Sequence, residues 1–346
     1  MSSRDNARPL ESLLARRDPH PGRHISVIVP TRNRHLLLER MLTRIDAQTF
    51  DDFEVIVVDD GSSLDTRKAY AGFQERFDSR FRVIELGIAG GPGFGPSVAR
   101  NIGIDAASGD IVTFCDDDDV WTSHTHLAAM AEVFDSQPDV DLYIANQIAV
   151  SHLGVTERAH WLPALVEMVA NRPRTHAHGY QIALDELTRA GGFAQLNILA
   201  LRKSTAERIG GFWTRTSYEE DRDFFWRAAD AARAVFFNPD LVAQHNVPDP
   251  ARQNNLSRSF SQPERWLLSA LVSQHIAMSV DSPAIRRLCQ VYEGDILRHL
   301  SRYWSGQGRH ALGMQYARRA LAARASFKWA MYTGALAARQ LIRGRA

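Results

Sequence analysis

The stretch GDIVTFCDDDDVW, residues 109–121, sets four carboxylates in a row directly behind an apolar run. Ile111, Val112, Phe114 and Cys115 have the composition of an enclosed strand. Four adjacent negative charges repel one another, and an unpaired carboxylate is costly to bury. A core strand that ends this way needs something positive at its tip. A solvated charge run would be the bland reading, but the apolar strand before it argues otherwise. A phosphatase-type nucleophile would belong on the first strand of an α/β domain, and three strand-like runs precede this one. The third reading is a hard divalent cation, Mn²⁺ or Mg²⁺, held by one or two carboxylates and by substrate phosphates.

Working outward, strands and helices alternate. HISVIVP (24–30) reads as a strand stopped by Pro30, and residues 36–48 as an amphipathic helix. FEVIVVDDGSS (53–63) is a second strand ending in acids, with helix over 64–77 and a third strand at 81–86. A glycine-rich loop then feeds a short helix before the acidic strand, which is followed by a helix near 124–136 and a strand at 140–146. This rhythm predicts an α/β layer with a mostly parallel sheet. Ligands of such sheets bind beyond the carboxyl ends of the strands. Pro30–Arg34, Asp59–Asp60 and Asp116–Asp119 all fall on such ends.

Past residue 150 the alternation weakens. Residues 150–190 show no clear period, and RPRTHAHGYQ reads as an irregular, mobile loop. Compact patterning returns at 197–213 and 218–232, and everything from about 262 is helical. The expected organisation is a flexible extension over 1–23, an α/β half over 24–150, a second, less regular half over 151–260, and a basic helical region over 261–346.

Apolar content of 45% and charged content of 23% leave ample material for a core. Two cysteines, Cys115 and Cys289, make no disulfide framework or metal spacing, which fits a reducing cytoplasm. No run reaches the length of a membrane span, and the opening residues lack a secretory signal's apolar stretch. The net charge of +1 hides an asymmetry: beyond Asp295 there is no acid and ten Lys or Arg. That leaves the rest of the chain at −9, from 31 basic and 40 acidic residues.

SVIVPTRNR, QTFDDFEVIVVDDGSS, ARNIGIDAASGDIVTFCDDDDVW and GGFW…YEEDRDFFWR resemble the family-2 glycosyltransferases of the inverting GT-A type, over roughly residues 24–245. The resemblance implies a transferase that moves a sugar from a nucleoside-diphosphate sugar, expected to be UDP-linked, to a hydroxyl acceptor in polysaccharide or glycoconjugate synthesis. It implies that Asp60 accepts a hydrogen bond from the nucleobase and that Pro30 and Thr31 contact the nucleoside. Arg32 stands where the family often has an aromatic, and its guanidinium plane can also stack on a base. Asp116, Asp118 and Asp119 match the family's D-x-D-D, with Asp117 in the variable place. Asp118 is the expected metal ligand, with Asp116 or Asp117 serving the ribose or the metal's water shell. Asp221 matches the general base, with Glu220 beside it sharing the proton or orienting the acceptor. His245 matches a position where some members bring a histidine to the metal, the alternative being a structural residue. Arg100, opening a helix with Asn101, braces the acidic loop or is purely structural.

The glycine-rich stretch holds neither a P-loop nor a dinucleotide fingerprint, so its expected role is a flexible wall over the donor. A nucleotidyltransferase and a non-catalytic sugar-nucleotide-binding subunit remain the alternatives. The first would open with a glycine-rich basic loop, which VPTRNR is not; retained Asp118 and Asp221 argue against the second. The acidic body argues against nucleic acid as a partner. The basic tail, with Trp329 beside Lys328, either rests on anionic lipid at the inner face of the membrane or packs on the body.

Overall fold

Apolar runs near the head of the chain form strands enclosed on both faces. In the computed structural model, which describes residues 24–247 and 260–343, β1 (Ile25–Thr31) and β2 (Phe53–Asp59) are buried almost throughout. Near-continuous burial is what a parallel sheet between helical layers requires. β2 pairs in parallel with β1 and with β3 (Phe81–Glu85), and β1 pairs in parallel with β4 (Ile111–Phe114). Their registers set Thr31 opposite Asp59 and Ile28 opposite Phe114. The carboxyl ends of three strands therefore open on one crevice, and GDIVTFCDDDDVW delivers its acids into it.

The short β5 (Val120–Trp121) follows the acids at once. β6 (Val140–Val150) runs longer than its sequence pattern predicts. Residues 150–190, expected to be irregular, contain β7 (Thr156–Arg158), β8 (Tyr180–Ile182) and helices Pro163–Val169 and Leu184–Ala190. Elements of three to seven residues are too short to register as a period, which is why the sequence hid them. The RPRTHAHGYQ loop is tied down, by Arg172 on Glu186 at 2.8 Å and His178 on Glu132 at 2.8 Å. β9 (Leu199–Arg202) and β10 (Ala234–Asn246) then enter the sheet, in the order β3-β2-β1-β4-β9-β6-β10-β5. β9 runs antiparallel between β4 and β6, and the four longest ladders are parallel. One sheet thus runs across the boundary expected near residue 150.

β10 also pairs antiparallel with β5, Gln244 opposite Val120. The next residue along, His245, is thereby brought to Asp119. Helix Glu220–Ala231 is seated on the tip of β4 through three rings. Phe224 stacks on Phe212 at 4.0 Å, and both meet the edge or face of Phe114, at 5.6 and 5.3 Å. Aromatic packing of this kind fixes the distance between the acidic loop and the helix carrying Glu220 and Asp221.

Helices Gln262–Ser279, Pro283–Gly306, His310–Ala323 and Phe327–Arg343 complete the described chain. The segments 1–23, 248–259 and 344–346 lie outside the described residues, and with them the expected flexible extension. Leu297, Leu300, Met314, Ala317, Trp329 and Leu336 form a second apolar core among these helices. Trp329, a reason for expecting lipid contact, is instead buried, its Nε1 donating to the Ala317 carbonyl at 2.9 Å. A lone apolar-plus-basic pattern cannot distinguish a lipid face from a helix–helix seam. Among the described residues no helix is long and apolar enough to cross a membrane. Trp329→Ala should cost about 3–5 kcal/mol of stability, as large-to-small core substitutions do, read from the urea midpoint of the full chain. A loss under about 1 kcal/mol would mean that the tail does not share this core.

Candidate active site

The turn after β1 builds one bank of the crevice. Asn33 takes a left-handed conformation, φ 55°, which asparagine tolerates better than most residues. Its side-chain oxygen accepts from Ser63 N at 2.8 Å, and its own N–H donates to Ser62 Oγ at 2.7 Å, locking this turn to the end of β2. Thr31 Oγ1 donates to Asp117 at 2.7 Å. Asp59 is wholly buried and structural, receiving Ser62 N and the Arg67 guanidinium, whereas Asp60 reaches the cleft.

Asp60 is already engaged. Its two carboxylate oxygens accept the backbone N–H groups of Phe94, at 2.7 Å, and Gly95, at 2.9 Å. Arg32 completes the closure, donating to the Asp60 carbonyl at 3.0 Å and to the Gly91 carbonyl at 2.8 Å. The glycine-rich loop is therefore strapped across this end of the cleft. Gly93 lies in the strap so close to the Arg32 guanidinium and the Asp60 carboxylate that a Cβ would collide with both.

The four consecutive acids divide among partners from three parts of the chain. Asp116 accepts from Arg100 Nη2 at 2.7 Å. Asp117 and Asp118 share Arg34 Nη1, at 2.8 and 2.9 Å. Asp119 accepts from Asn246 N at 2.8 Å and faces His245 Nδ1 at 3.0 Å. Compensation is incomplete. Burial pushes the Asp117 carboxyl up to about 7, with Arg34 opposing and Asp118 adding to the push. Burial raises Asp119 to about 6 against the pull of His245, and Asp118 is raised by burial and by the charge of Asp116. His245 is itself raised: burial opposes its charge, and Asp119 outweighs burial.

Arg100, on helix Pro96–Ala106, joins this bank to the next. It is buried, and while Nη2 serves Asp116, Nη1 donates to Glu220 at 3.1 Å. Beside Glu220, burial and then the Glu220 charge push the Asp221 carboxyl up to about 7, although Arg222 N donates to it at 2.8 Å. Pro30, Thr31, Arg32, Asp60, Arg100, Asp116, Asp117, Asp118 and Glu220 line a single cleft of about 460 Å³. Asp221 and His245 stand beside lining residues rather than in the lining itself. Arg34, also in the lining, was not singled out from the sequence, although its signal was present: four adjacent acids call for a counter-charge, and TRNR carries two arginines at a neighbouring strand end.

Among the described residues no three acidic, histidine or cysteine side chains are grouped to hold a metal ion by themselves. The donor set nonetheless fits a hard cation whose remaining ligands come from substrate phosphates. Arg34 already spans two of the carboxylates as a cation would, and Asp119 on Nδ1 orients His245 as an outer carboxylate orients a metal-binding imidazole.

A mostly parallel sheet with an acidic loop at its strand ends and a paired carboxylate on the facing helix is the α/β arrangement of the GT-A type. The S. aureus TarS fragment 1–349 crystallised with UDP-GlcNAc shares this fold, with TM-score 0.58, 17% identity, 87% of this chain covered and 81% of that one. A mannosyltransferase from Pyrobaculum calidifontis, in complex with GDP-Man and Mn²⁺, gives TM-score 0.53 at 20% identity, covering 92% of this chain and 81% of its own. Residues 26–210 match glycosyl transferase family 2, and the chain belongs to that family. The GalNAc(5)-diNAcBac-PP-undecaprenol beta-1,3-glucosyltransferase of Campylobacter jejuni is 44% identical over 95 residues, 28% of this chain and 29% of that protein. Succinoglycan biosynthesis protein ExoW of Rhizobium meliloti is 35% identical over 222 residues, 61% of this chain and 65% of ExoW. The matches thus span less than two thirds of either relative.

Gly93→Ala forces a methyl group between Arg32 and Asp60. The methyl displaces the Arg32 guanidinium and the Asp60 carboxylate, the two groups expected at the base, so nucleoside-diphosphate affinity should fall about tenfold. Calorimetric titration checks it, and unchanged affinity would mean that the strap does not border the nucleotide.

Proposed function

We propose that the protein transfers a sugar from a UDP-linked donor to a hydroxyl of a saccharide or lipid-linked saccharide, with inversion at the anomeric carbon. The observation that carries this reading is Arg100, one guanidinium that bonds both the acidic loop and the Glu220–Asp221 helix. It holds two carboxylate sites with different tasks at a fixed separation. The names of the relatives support the acceptor class: one acts on an undecaprenol-linked glycan and another belongs to succinoglycan biosynthesis.

In this reaction the nucleoside lies against Pro30, Thr31, Arg32 and Asp60, and the strap lends it a wall. Asp118 and His245 would hold Mn²⁺ or Mg²⁺, with Asp116 and Asp117 on the ribose or the water shell. Such an ion, when bound, supplies positive charge against the departing diphosphate. Arg34, bonded to Asp117 and Asp118, would turn from them to the diphosphate oxygens when the donor enters. On the other bank, Asp221 takes the acceptor's proton as the hydroxyl oxygen forms its bond to the anomeric carbon and the bond to the diphosphate breaks. A base held near 7 suits this work, because near neutral pH it is substantially ionised and still has proton affinity. Glu220, tied to Arg100, orients the acceptor beside it.

Two experiments test the halves of this proposal. Asp118→Asn removes a charged oxygen ligand and should abolish the Mn²⁺- or Mg²⁺-dependent part of nucleoside-diphosphate binding in calorimetry. Equal binding by mutant and parent, or full activity in excess chelator, would overturn the metal assignment. Asp221 works only when deprotonated, so kcat should climb as pH rises through about 7. Asp221→Asn should lower kcat at least about a hundredfold and erase that limb, with donor affinity little changed. A retained anomeric configuration in the product would show the base to be wrongly assigned.

A further inference from the structure

The residue immediately before the catalytic pair is held in a conformation that its own chemistry disfavours. Glu219 has φ 56° and ψ 29°, the left-handed region, at the start of helix Glu220–Ala231. A residue with a Cβ pays for that conformation and keeps it only where neighbours over-determine it. The neighbours here come from the C-terminal helices. Tyr292, on helix Pro283–Gly306, donates its hydroxyl to Glu219 Oε1 at 2.8 Å. Glu219 Oε2 lies 3.4 Å from Arg222 Nε, and the Arg222 guanidinium sits between two rings, 4.2 Å from the Tyr292 centroid and 4.8 Å from that of Phe193.

The same helix is held twice more from that side. His275 Nδ1 meets the buried Asp223 at 2.6 Å, and Asp230 accepts from Asp281 N and Ser282 N at 2.7 and 2.9 Å. These contacts fix the helix as a body. The Tyr292–Glu219 bond acts one residue from Glu220 and two from Asp221, at the backbone turn that sets where both side chains point.

We propose that Tyr292 is a positioning residue for the transfer: by fixing Glu219 in its left-handed conformation it aims the Glu220–Asp221 pair at the acceptor. The proposal rests on the reading of Asp221 as general base. It gives the C-terminal helices, which lie beyond the residues matching the family, a part in catalysis without contact with substrate.

Tyr292→Phe keeps the ring against Arg222 and removes only the hydroxyl. The measurements are steady-state kinetics, thermal unfolding and hydrogen exchange at the amides of residues 219–223. The variant should lose about ten- to a hundredfold in kcat, as small misplacements of reacting groups do, with donor KM and melting temperature held and those amides exchanging faster. Glu219→Gln retains an oxygen for the Tyr292 hydroxyl and should recover most of the rate. Glu219→Gly accepts the left-handed backbone freely but has no side chain to anchor it, and should behave like Tyr292→Phe. Parental kcat and parental exchange in Tyr292→Phe would overturn the proposal, as would a Glu219→Gly enzyme with full activity. If the parent itself transfers no sugar, the failure lies in the functional reading, and exchange alone decides the anchor: faster exchange in Tyr292→Phe upholds it, and unchanged exchange ends it.

Discussion

Negative charge at the tip of a buried strand is the constraint around which the rest of the molecule is arranged. Asp116 to Asp119 follow β4 without a break, and each must find a partner within its own reach. The partners come from three distant segments: Arg34 after β1, Arg100 on the helix behind the strap, and His245 with Asn246 at the end of β10. Arg100 has the most demanding task, since it serves carboxylates from two elements at once. A planar guanidinium with several donors can do that, and a lysine ammonium of the same charge cannot match its fork. Burial works against the Arg100 charge, and Asp116 and Glu220 together outweigh it. Removing either carboxylate would leave a buried cation poorly paired, so the two banks of the cleft depend on each other.

The sheet explains how such separate segments converge. Parallel pairing of β1, β2 and β4 lines up three carboxyl ends, and antiparallel β9 links this part to β6 and β10. The pairing of β5 with β10 carries His245 to Asp119, 126 residues earlier in the chain. Phe114, Phe212 and Phe224 then fix the helix carrying Glu220 and Asp221 on the very strand that ends in the acids. Apolar packing sets the spacing, and Arg100 adds orientation to it.

Strand ends were legible in the sequence because their signal is local. ISVIVPT, FEVIVVD and IVTF are short enclosed runs followed at once by polar residues, and all three are strands. Pro30, Thr31, Arg32, Asp60 and Asp116 to Asp118 were legible for the same reason, since each sits at or just past the end of a run of this kind, whereas Arg100 and Glu220 reach the cleft from helices. Pairings were not. Nothing in TRNR announces that Arg34 spans Asp117 and Asp118, and nothing in YEED tells that Tyr292, 73 residues on, will reach Glu219. Trp329 left two readings open for a related reason: an apolar face among arginines has one pattern and two environments, and the tertiary arrangement puts this ring in the helix seam.

The strap over the nucleoside end follows the same logic of exchange. Asp60 accepts two backbone N–H groups from the loop, the type of donor that a pyrimidine or guanine ring would bring. Replacing one of the two amide donors by a ring N–H costs little net free energy, because the other amide still serves the second carboxylate oxygen. Opening the strap for a donor nucleotide is therefore cheap at Asp60. Arg32 is the other half of the latch, and its release does more. Freed from the carbonyls of Asp60 and Gly91, it offers its fork to ring oxygens, which uracil and guanine present in different places. On the proposed reading, Asp60 asks only for a ring N–H, and discrimination among bases falls to the residue that departs from the aromatic usual at its position. Because that residue also closes the strap, the same proposed reading gives base selection and access to the site to one side chain.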